Sequence, residues 1–205
     1  MKQYPTIPKK PKKGPTKFYV FDKLDGSNVR AKWSMKRGFH KFGTRKRLLG
    51  SDQGLLYLAQ GLIEATDGKF RKVFSGAKIE QATCFFEFWG DKSFAGSHVA
   101  DDVHRVTLFD VSISGRDYLS PKEFVGLFEQ APIETADLLY HGPIDELFRS
   151  QVVDGTLPGM TDEGVICKAN PTKRFNQPNM FKIKSQDWID RVKAKFDKSR
   201  WEDLL

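Results

Sequence analysis

Phe18-Tyr19-Val20-Phe21-Asp22-Lys23-Leu24-Asp25-Gly26-Ser27-Asn28 carries an apolar run directly into a lysine and an Asp-Gly turn, and Val29 to Met35 resumes as an alternating segment. The run Phe18 to Asp22 reads as a strand, and Val29, Ala31, Trp33 and Met35 at period two read as one face of the next. A lysine leaving a strand into a tight turn is held on a short link, so its amine is aimed. Gly26 is expected to supply the positive φ that such turns often require. An ordinary hairpin turn has the same local appearance. The remainder of the chain decides between them.

Working outward, Gly38 turns the chain into Phe39 to Thr44, and Ser51 or Asp52 is placed to cap a helix through Leu55, Leu56, Leu58, Ala59, Leu62 and Ile63. That leucine stripe reads as core. Ala82 to Trp89 and Arg105 to Ile113 are apolar enough for buried strands, and Ser120-Pro121-Lys122-Glu123 is a capping box with proline at the first helical position, opening a helix through Phe124 to Phe128. A helix is expected over Ile144 to Val153, a loop over Gly155 to Gly159, strands over Glu163 to Lys168 and Met180 to Lys184, and a last helix from about Gln186 to Phe196. The pattern is α+β with antiparallel sheets flanked by helices.

With 39% hydrophobic and 13% aromatic residues in a chain of 205, one good core is expected: a basic Pro/Lys-rich arm over residues 1–17 and a single domain over 18–205. No run of 18 or more apolar residues appears, and the N-terminus is rich in lysine and proline, so the reading is a soluble, cytoplasmic protein without a membrane partner. If the chain is phage-encoded, the compartment is the host cytoplasm. Cys84 and Cys167 lie within expected strands with no CxxC or Cys/His spacing, which points to reduced, buried thiols.

The net charge of +8 is unevenly spread: residues 1–50 carry 15 Lys or Arg against Asp22 and Asp25, residues 51–167 carry 9 against 19 acids, and residues 168–205 carry 10 against 5. Lys36, Arg37, Lys41, Arg45, Lys46 and Arg47 flank the expected hairpin with no intervening acid, and such clustered cations release counterions on binding a polyanion. A phosphate-tracking surface follows from that pattern. Lys9, Lys10, Lys12 and Lys13 lie among Pro5, Pro8, Pro11 and Pro15 and read as an extended or disordered arm.

Four further segments follow the lysine in order: Phe85-Phe86-Glu87-Phe88-Trp89-Gly90, Leu108-Phe109-Asp110-Val111, Asp162-Glu163-Gly164-Val165-Ile166-Cys167-Lys168, and Phe181-Lys182-Ile183-Lys184. Together with Lys23 to Asn28 they resemble motifs I, III, IIIa, IV and V of the covalent nucleotidyltransferases, the superfamily of ATP-dependent DNA ligases, RNA ligases and mRNA capping enzymes. The resemblance covers most of the chain. Asn28 closing motif I resembles the phage RNA ligase 2 group, where DNA ligases usually carry arginine, and Thr44-Arg45 resembles the substrate-contacting arginine element of those ligases. Asp25 departs from the founding phage enzyme, which has histidine there, and matches the Lys-x-Asp-Gly of other ligases.

The resemblance implies an ATP-grasp-like nucleotidyltransferase fold and a minimal, single-domain ATP-dependent RNA ligase. Lys23 would attack the α-phosphate to form lysyl-AMP, with Lys182 and Lys184 offsetting triphosphate charge. Asp25, Gly26, Asn28 and Arg45 would line the nucleotide, Glu87 would contact the ribose, Phe109 would stack on adenine, and Glu163 would hold Mg²⁺, with Mn²⁺ as a substitute. A free lysine is mostly protonated at neutral pH, with a pKa near ~10.4, so the site should disfavour the Lys23 cation; Lys182 and Lys184 are expected to do so by like-charge proximity. ATP and a nucleic acid (RNA or a nicked duplex) are the implied partners. Lys36, Arg37, Arg45 and Arg47, and in part the arm, would stand in for the second domain that usually follows in relatives, unless a partner protein supplies it.

Other chemistries find little support. Gly61 to Lys69 lacks the GxxxxGK spacing of a phosphate loop, and no serine sits in a nucleophile elbow. His98, Asp101, Asp102 and His104 are the only other candidate metal cluster, in what reads as a polar loop. A DNA nick ligase, a capping guanylyltransferase using GTP and a catalytically idle nucleic-acid-binding module are the competing readings.

Overall fold

β1 (Phe18–Asp22) and β2 (Ser27–Ser34) are consecutive in sequence but lie in different sheets. The Lys-x-Asp-Gly segment is therefore a crossing between sheets rather than a hairpin turn. The protein is described by a computed structural model over residues 1–45, 47–48, 54–91, 101–171 and 179–204. The first sheet has the order β6 (Leu138–Gly142), β1, β7 (Gly164–Ala169), β8 (Asn179–Lys184), and the second has the order β3 (Gly38–Thr44), β2, β4 (Gln81–Trp89), β5 (Arg105–Ile113). Every pairing is antiparallel.

Helices cover the outer face of each sheet. α1 (Gly54–Glu64), α2 (Asp67–Gly76) and α3 (Pro121–Phe128) pack on the second sheet around Trp33, Phe70, Phe74, Phe86 and Phe128. The rings meet largely edge to face, as Trp33 and Phe74 do at 4.9 Å, the arrangement ring quadrupoles favour. α4 (Glu146–Val153) covers the first sheet with Phe148 and Val152 against Val20, Val165 and Phe181. α5 (Gln186–Lys195) buries Trp188 and Val192 and starts at Ser185, whose Oγ accepts from the Trp188 N–H at 3.2 Å; α6 (Trp201–Leu204) follows it. No helix among the described residues is long and apolar enough to cross a membrane. Both cysteines are free and buried.

Most expected elements are present, including the full capping box at Ser120 and Glu123. The expected cap at Ser51 or Asp52 lies outside the described residues. Among the described side chains of α1, Ala59 and Ile63 are buried and Leu62 packs against the core, whereas Leu58 is 48% exposed.

Three helices or strands were not expected: α2, β6 and the short α6. α2 begins in Thr66-Asp67-Gly68, which has turn composition, yet Phe70 and Phe74 one helical turn apart bury completely. Its Asp67 carboxylate accepts from Trp33 Nε1 at 2.9 Å and from the Phe39 N–H at 3.1 Å, tying the helix to the β2–β3 hairpin. Gly38, at φ +66°, leaves the space this carboxylate fills. β6 is an edge strand of mixed exposure, with no clean alternation to mark it.

The arm is the largest difference from expectation. Tyr4 is 6% exposed and packs with Phe85 and Met180 into a third apolar cluster, and Pro8 and Lys12 hydrogen-bond to β8. Residues 1–12 are thus docked along the domain.

Candidate active site

Lys23 is fixed from both sides. Its N–H donates to Gly164 O at 3.0 Å, and the preceding Asp22 carboxylate accepts from Thr161 N–H at 3.0 Å and Thr161 Oγ1 at 2.8 Å. The side chain, one-fifth exposed, places Nζ 2.6 Å from Glu163 Oε2, while Lys184 Nζ lies 2.9 Å from Glu163 Oε1. Glu163 itself is buried at the entrance to β7. The following Gly164 is at φ +132°, and a Cβ there would lie 2.2 Å from Ile183 O, so the Glu-Gly pair is demanded by the close β7–β8 approach.

The second sheet supplies the opposite wall. Asn28 on β2 pairs with Glu87 on β4, and the Gly26 N–H donates to the Glu87 carboxylate. Gly26 does not adopt the positive φ expected of it. The position needs glycine because a Cβ would lie 2.5 Å from Phe88 O, where the crossing segment passes against β4. Asn28 Oδ1 is buried with no hydrogen-bond partner among the described residues, leaving an acceptor for a donor such as a ribose hydroxyl.

The electrostatics correct the expected activation of Lys23. Burial works against its ammonium, but Glu163, Glu87 and Asp25 outweigh that and hold Lys23 above the ordinary lysine value. The depression falls on its neighbours instead. Lys184 drops to about 8, first through burial and then through Lys23 and Lys182 despite the Glu163 pairing, and Lys182 is lowered by burial and by Lys23, Lys9 and Arg45. Burial pushes Glu87 up to about 8, with Glu163 and Asp25 adding to the rise and Lys23 opposing it. The site thus holds carboxylates and ammonium groups in mutual compensation around one lysine.

Phe109 lies on the bulged stretch of β5, half-buried, with its ring 4.9 Å from Tyr4 in an edge contact and 6.4 Å from Phe85. Behind it is a network that sequence reasoning missed. Lys168 Nζ donates to Phe109 O at 2.7 Å and to Asp110 Oδ2 at 2.9 Å, and Tyr4 Oη donates to the same Asp110 oxygen at 2.8 Å. Asp110 and Lys168 lie within two of the motifs, and their opposite charges inside apolar strands were the available signal that they pair. Tyr4 carried no such signal.

The expected nucleic-acid residues divide into two groups. Arg45 and Arg47 are exposed beyond the end of β3 that pairs with Val29, on the side of the site, and Arg45 Nη2 donates to Thr6 Oγ1 at 2.8 Å. Lys36 and Arg37 sit at the far hairpin tip, about 20 Å along β2 from Asn28 at ~3.3 Å per residue. Lys46 and His98 lie outside the described residues. Of the other proposed metal cluster, His104 stacks on Phe88 at 5.3 Å and its Nε2 lies 2.6 Å from Asp91 O, which gives it a packing role.

Among the described residues, no group of three His, Cys, Asp or Glu forms a metal cage. Glu163, buried beside Lys23, is the carboxylate expected to hold a hard cation of the Mg²⁺ type, which uses one or two carboxylates together with phosphate oxygens.

The fold is shared with solved RNA ligases. A variant of a Naegleria gruberi RNA ligase, determined with ATP and Mn, is 18% identical with a TM-score of 0.62 over 86% of this chain and 52% of that chain. A second variant in the apo state gives 17% identity, a TM-score of 0.62, and coverage of 87% and 52%. A form of the enzyme with PPi gives 18%, 0.60, and 87% and 52%. The chain therefore spans about half the length of these proteins. No curated protein matches the sequence. Residues 16–184, running from the strand that precedes Lys23 to the end of β8 at Lys184, match the RNA ligase family model, and the chain belongs to the RNA ligase family.

Proposed function

We propose that the chain is an ATP-dependent RNA ligase that works through a covalent lysyl-AMP intermediate on Lys23 and seals 5′-phosphate to 3′-hydroxyl ends, at nicks in duplexes. The observation that carries this reading is the placement of Lys23 Nζ at the crossing between the two sheets, 2.6 Å from a carboxylate that also binds Lys184. In the first step Nζ attacks the α-phosphorus of ATP, a P–N bond forms, the bond to the bridging oxygen breaks and pyrophosphate leaves. Before attack Lys23 must lose a proton, and Glu163 Oε2 is the acceptor within hydrogen-bond distance. Lys182 and Lys184 stabilise charge on the phosphates; burial first, and neighbouring cations after it, lower both lysines, and a polyanion would offset that.

Phe109 supplies a flat face for adenine, and Glu87 with the open Oδ1 of Asn28 recognises the ribose. A divalent cation held by Glu163 would supply positive charge that offsets the triphosphate. A 5′-phosphate oxygen then attacks the AMP phosphorus and displaces Lys23, and a 3′-hydroxyl attacks the resulting 5′-phosphoanhydride and releases AMP. Residues 18–205 act as one adenylyltransferase domain in the cytoplasm. Arg45, Arg47, Lys36 and Arg37 track the duplex, unless a partner protein supplies that surface.

The test is incubation with α-labelled ATP or α-labelled GTP and Mg²⁺, wild type beside Lys23→Ala, followed by denaturing electrophoresis and sealing of RNA and DNA 3′-hydroxyl strands at one nick. Label from ATP that is lost in Lys23→Ala is expected, with RNA sealed in preference to DNA. Label from GTP would indicate a guanylyltransferase. No label in protein shown to be free of bound AMP would sink the enzyme reading.

A further inference from the structure

The arm was expected to be extended or disordered, and it is docked at successive points. Pro8 O accepts from the Lys182 N–H at 2.9 Å, and Lys12 and Asn179 exchange two bonds, Lys12 N–H to Asn179 Oδ1 at 3.1 Å and Asn179 Nδ2 to Lys12 O at 3.2 Å. The arm advances from residue 8 to 12 as β8 retreats from 182 to 179, so it runs antiparallel along the free edge of that strand. Before this stretch, Arg45 holds Thr6, Tyr4 is buried against Phe85 and Phe109, and Arg30 Nη1 donates to Lys2 O at 2.8 Å. Ordering a dozen residues carries a large entropic cost, and Pro5, Pro8 and Pro11 reduce it by restricting the free chain.

What this anchoring presents is charge. Lys9, Lys10, Lys12 and Lys13 are all exposed, and none forms an ion pair among the described residues. Over four residues of extended chain they span roughly 12 Å, the length of about three to four phosphates on one strand. The strand they border, β8, carries Lys182 and Lys184 into the site, and the charge of Lys9 is close enough to depress Lys182. Apart from half-buried Ile7, residues 5–13 offer no large apolar side chain for insertion into a lipid surface.

We infer that residues 9–13 are a fixed cationic rail that binds the phosphate backbone of the polynucleotide substrate and leads it to Lys23. This inference rests on the ligase reading above. It assigns the arm to the steps that use a polynucleotide and not to the reaction with ATP.

The test is a full-length Lys10→Gln/Lys12→Gln/Lys13→Gln variant beside a control, Lys69→Gln/Lys72→Gln/Lys78→Gln, that removes equal charge from exposed positions on and after α2. Three quantities are measured: labelling by α-labelled ATP alone, salt-dependent binding to a nicked duplex with an RNA 3′-hydroxyl, and sealing of the same nick carrying a pre-adenylylated 5′ end. The arm variant is expected to label within about twofold of wild type. It should bind on the order of tenfold more weakly at low salt, with a slope of log K against log salt smaller by roughly two to three. Its sealing of the pre-adenylylated nick should fall in step, while the control stays close to wild type.

Unchanged duplex binding in the arm variant overturns the inference, as does an equal loss in the control, which would make the effect one of net charge. Lysine-dependent binding to anionic phosphatidylserine vesicles, with duplex binding unaffected, overturns it in favour of a membrane contact. Absence of label in the wild type, with lysine-dependent duplex binding intact, would sink the ligase reading and leave the rail standing.

Discussion

Lys23 and Lys184 hold opposite oxygens of a single buried carboxylate, at 2.6 Å and 2.9 Å from Glu163. Removing that carboxylate leaves two ammonium groups side by side in a poorly solvated place. Glu163→Ala is therefore expected to lower unfolding stability by roughly 3 kcal/mol in nucleotide-free protein, as seen when one partner of a buried pair is removed. Glu163→Gln should cost less because it keeps hydrogen-bond acceptance. Urea denaturation checks this, and a loss under about 1 kcal/mol for Glu163→Ala would show the pair to be effectively solvated.

Glu87 gives a pH signature. Its carboxyl is raised from the ordinary value to about 8 in the folded protein, so the folded state binds a proton that the unfolded chain releases near ~4.5. This group's contribution to stability is fully present below that lower value and is lost as pH rises through about 8. Relative to wild type, Glu87→Gln should thus gain Tm from pH 5 to about pH 8 and level off above it, measured by thermal unfolding without nucleotide or metal. A difference that stays flat with pH would show that Glu87 is ionised throughout.

The Lys168–Asp110 pair is a separate buried ion pair, with side chains 9% and 5% exposed. Lys168→Met and Asp110→Asn are each expected to cost roughly 3 kcal/mol, because each leaves the other group without its counter-charge. The double variant should cost less than the sum, with a coupling energy above about 0.5 kcal/mol in a double-mutant cycle. Strict additivity would mean the two act independently.

Phe109 should affect nucleotide affinity more than fold. Its ring is only half-buried, and an aromatic stack contributes about 0.5–1.5 kcal/mol. Phe109→Ala is expected to raise the KM for ATP in self-labelling by about three- to tenfold, and Phe109→Trp to retain affinity. Equal losses in both variants would favour a packing role.

How much of this was legible beforehand depended on the kind of signal. Strands β2, β4 and β5 were readable because alternation or apolar runs persist over eight or nine residues, and α3 because its capping box is a local code. α2 was hidden because Asp67 and Gly68 signal a turn while Phe70, Val73 and Phe74 are the only large apolar residues in the helix. The site motifs were legible in order but not in electrostatics. Like charges near Lys23 were visible in sequence, whereas the proximity of Glu163, Glu87 and Asp25, which outweighs them, arises only when the two sheets meet. The reason for Gly26 was misread for the same cause: its constraint is the Phe88 carbonyl, 62 residues away along the chain, and not its own φ. Tyr4 was unreadable, because its partner Asp110 is 106 residues distant.

The docked arm also sets an order of assembly. Its contacts with Asp110, Asp117, Asn179 and Met180 close loops of 106 to 176 residues, so they cannot form before both sheets exist. Until then β8 is a bare sheet edge, with Met180, Phe181 and Ile183 close behind it and its outward N–H groups open to any passing strand. A late-arriving segment rich in proline and lysine is poorly suited to seed further pairing, because proline lacks the donor and lysines repel one another. Once docked, the arm therefore guards the completed domain against joining a second copy edge to edge.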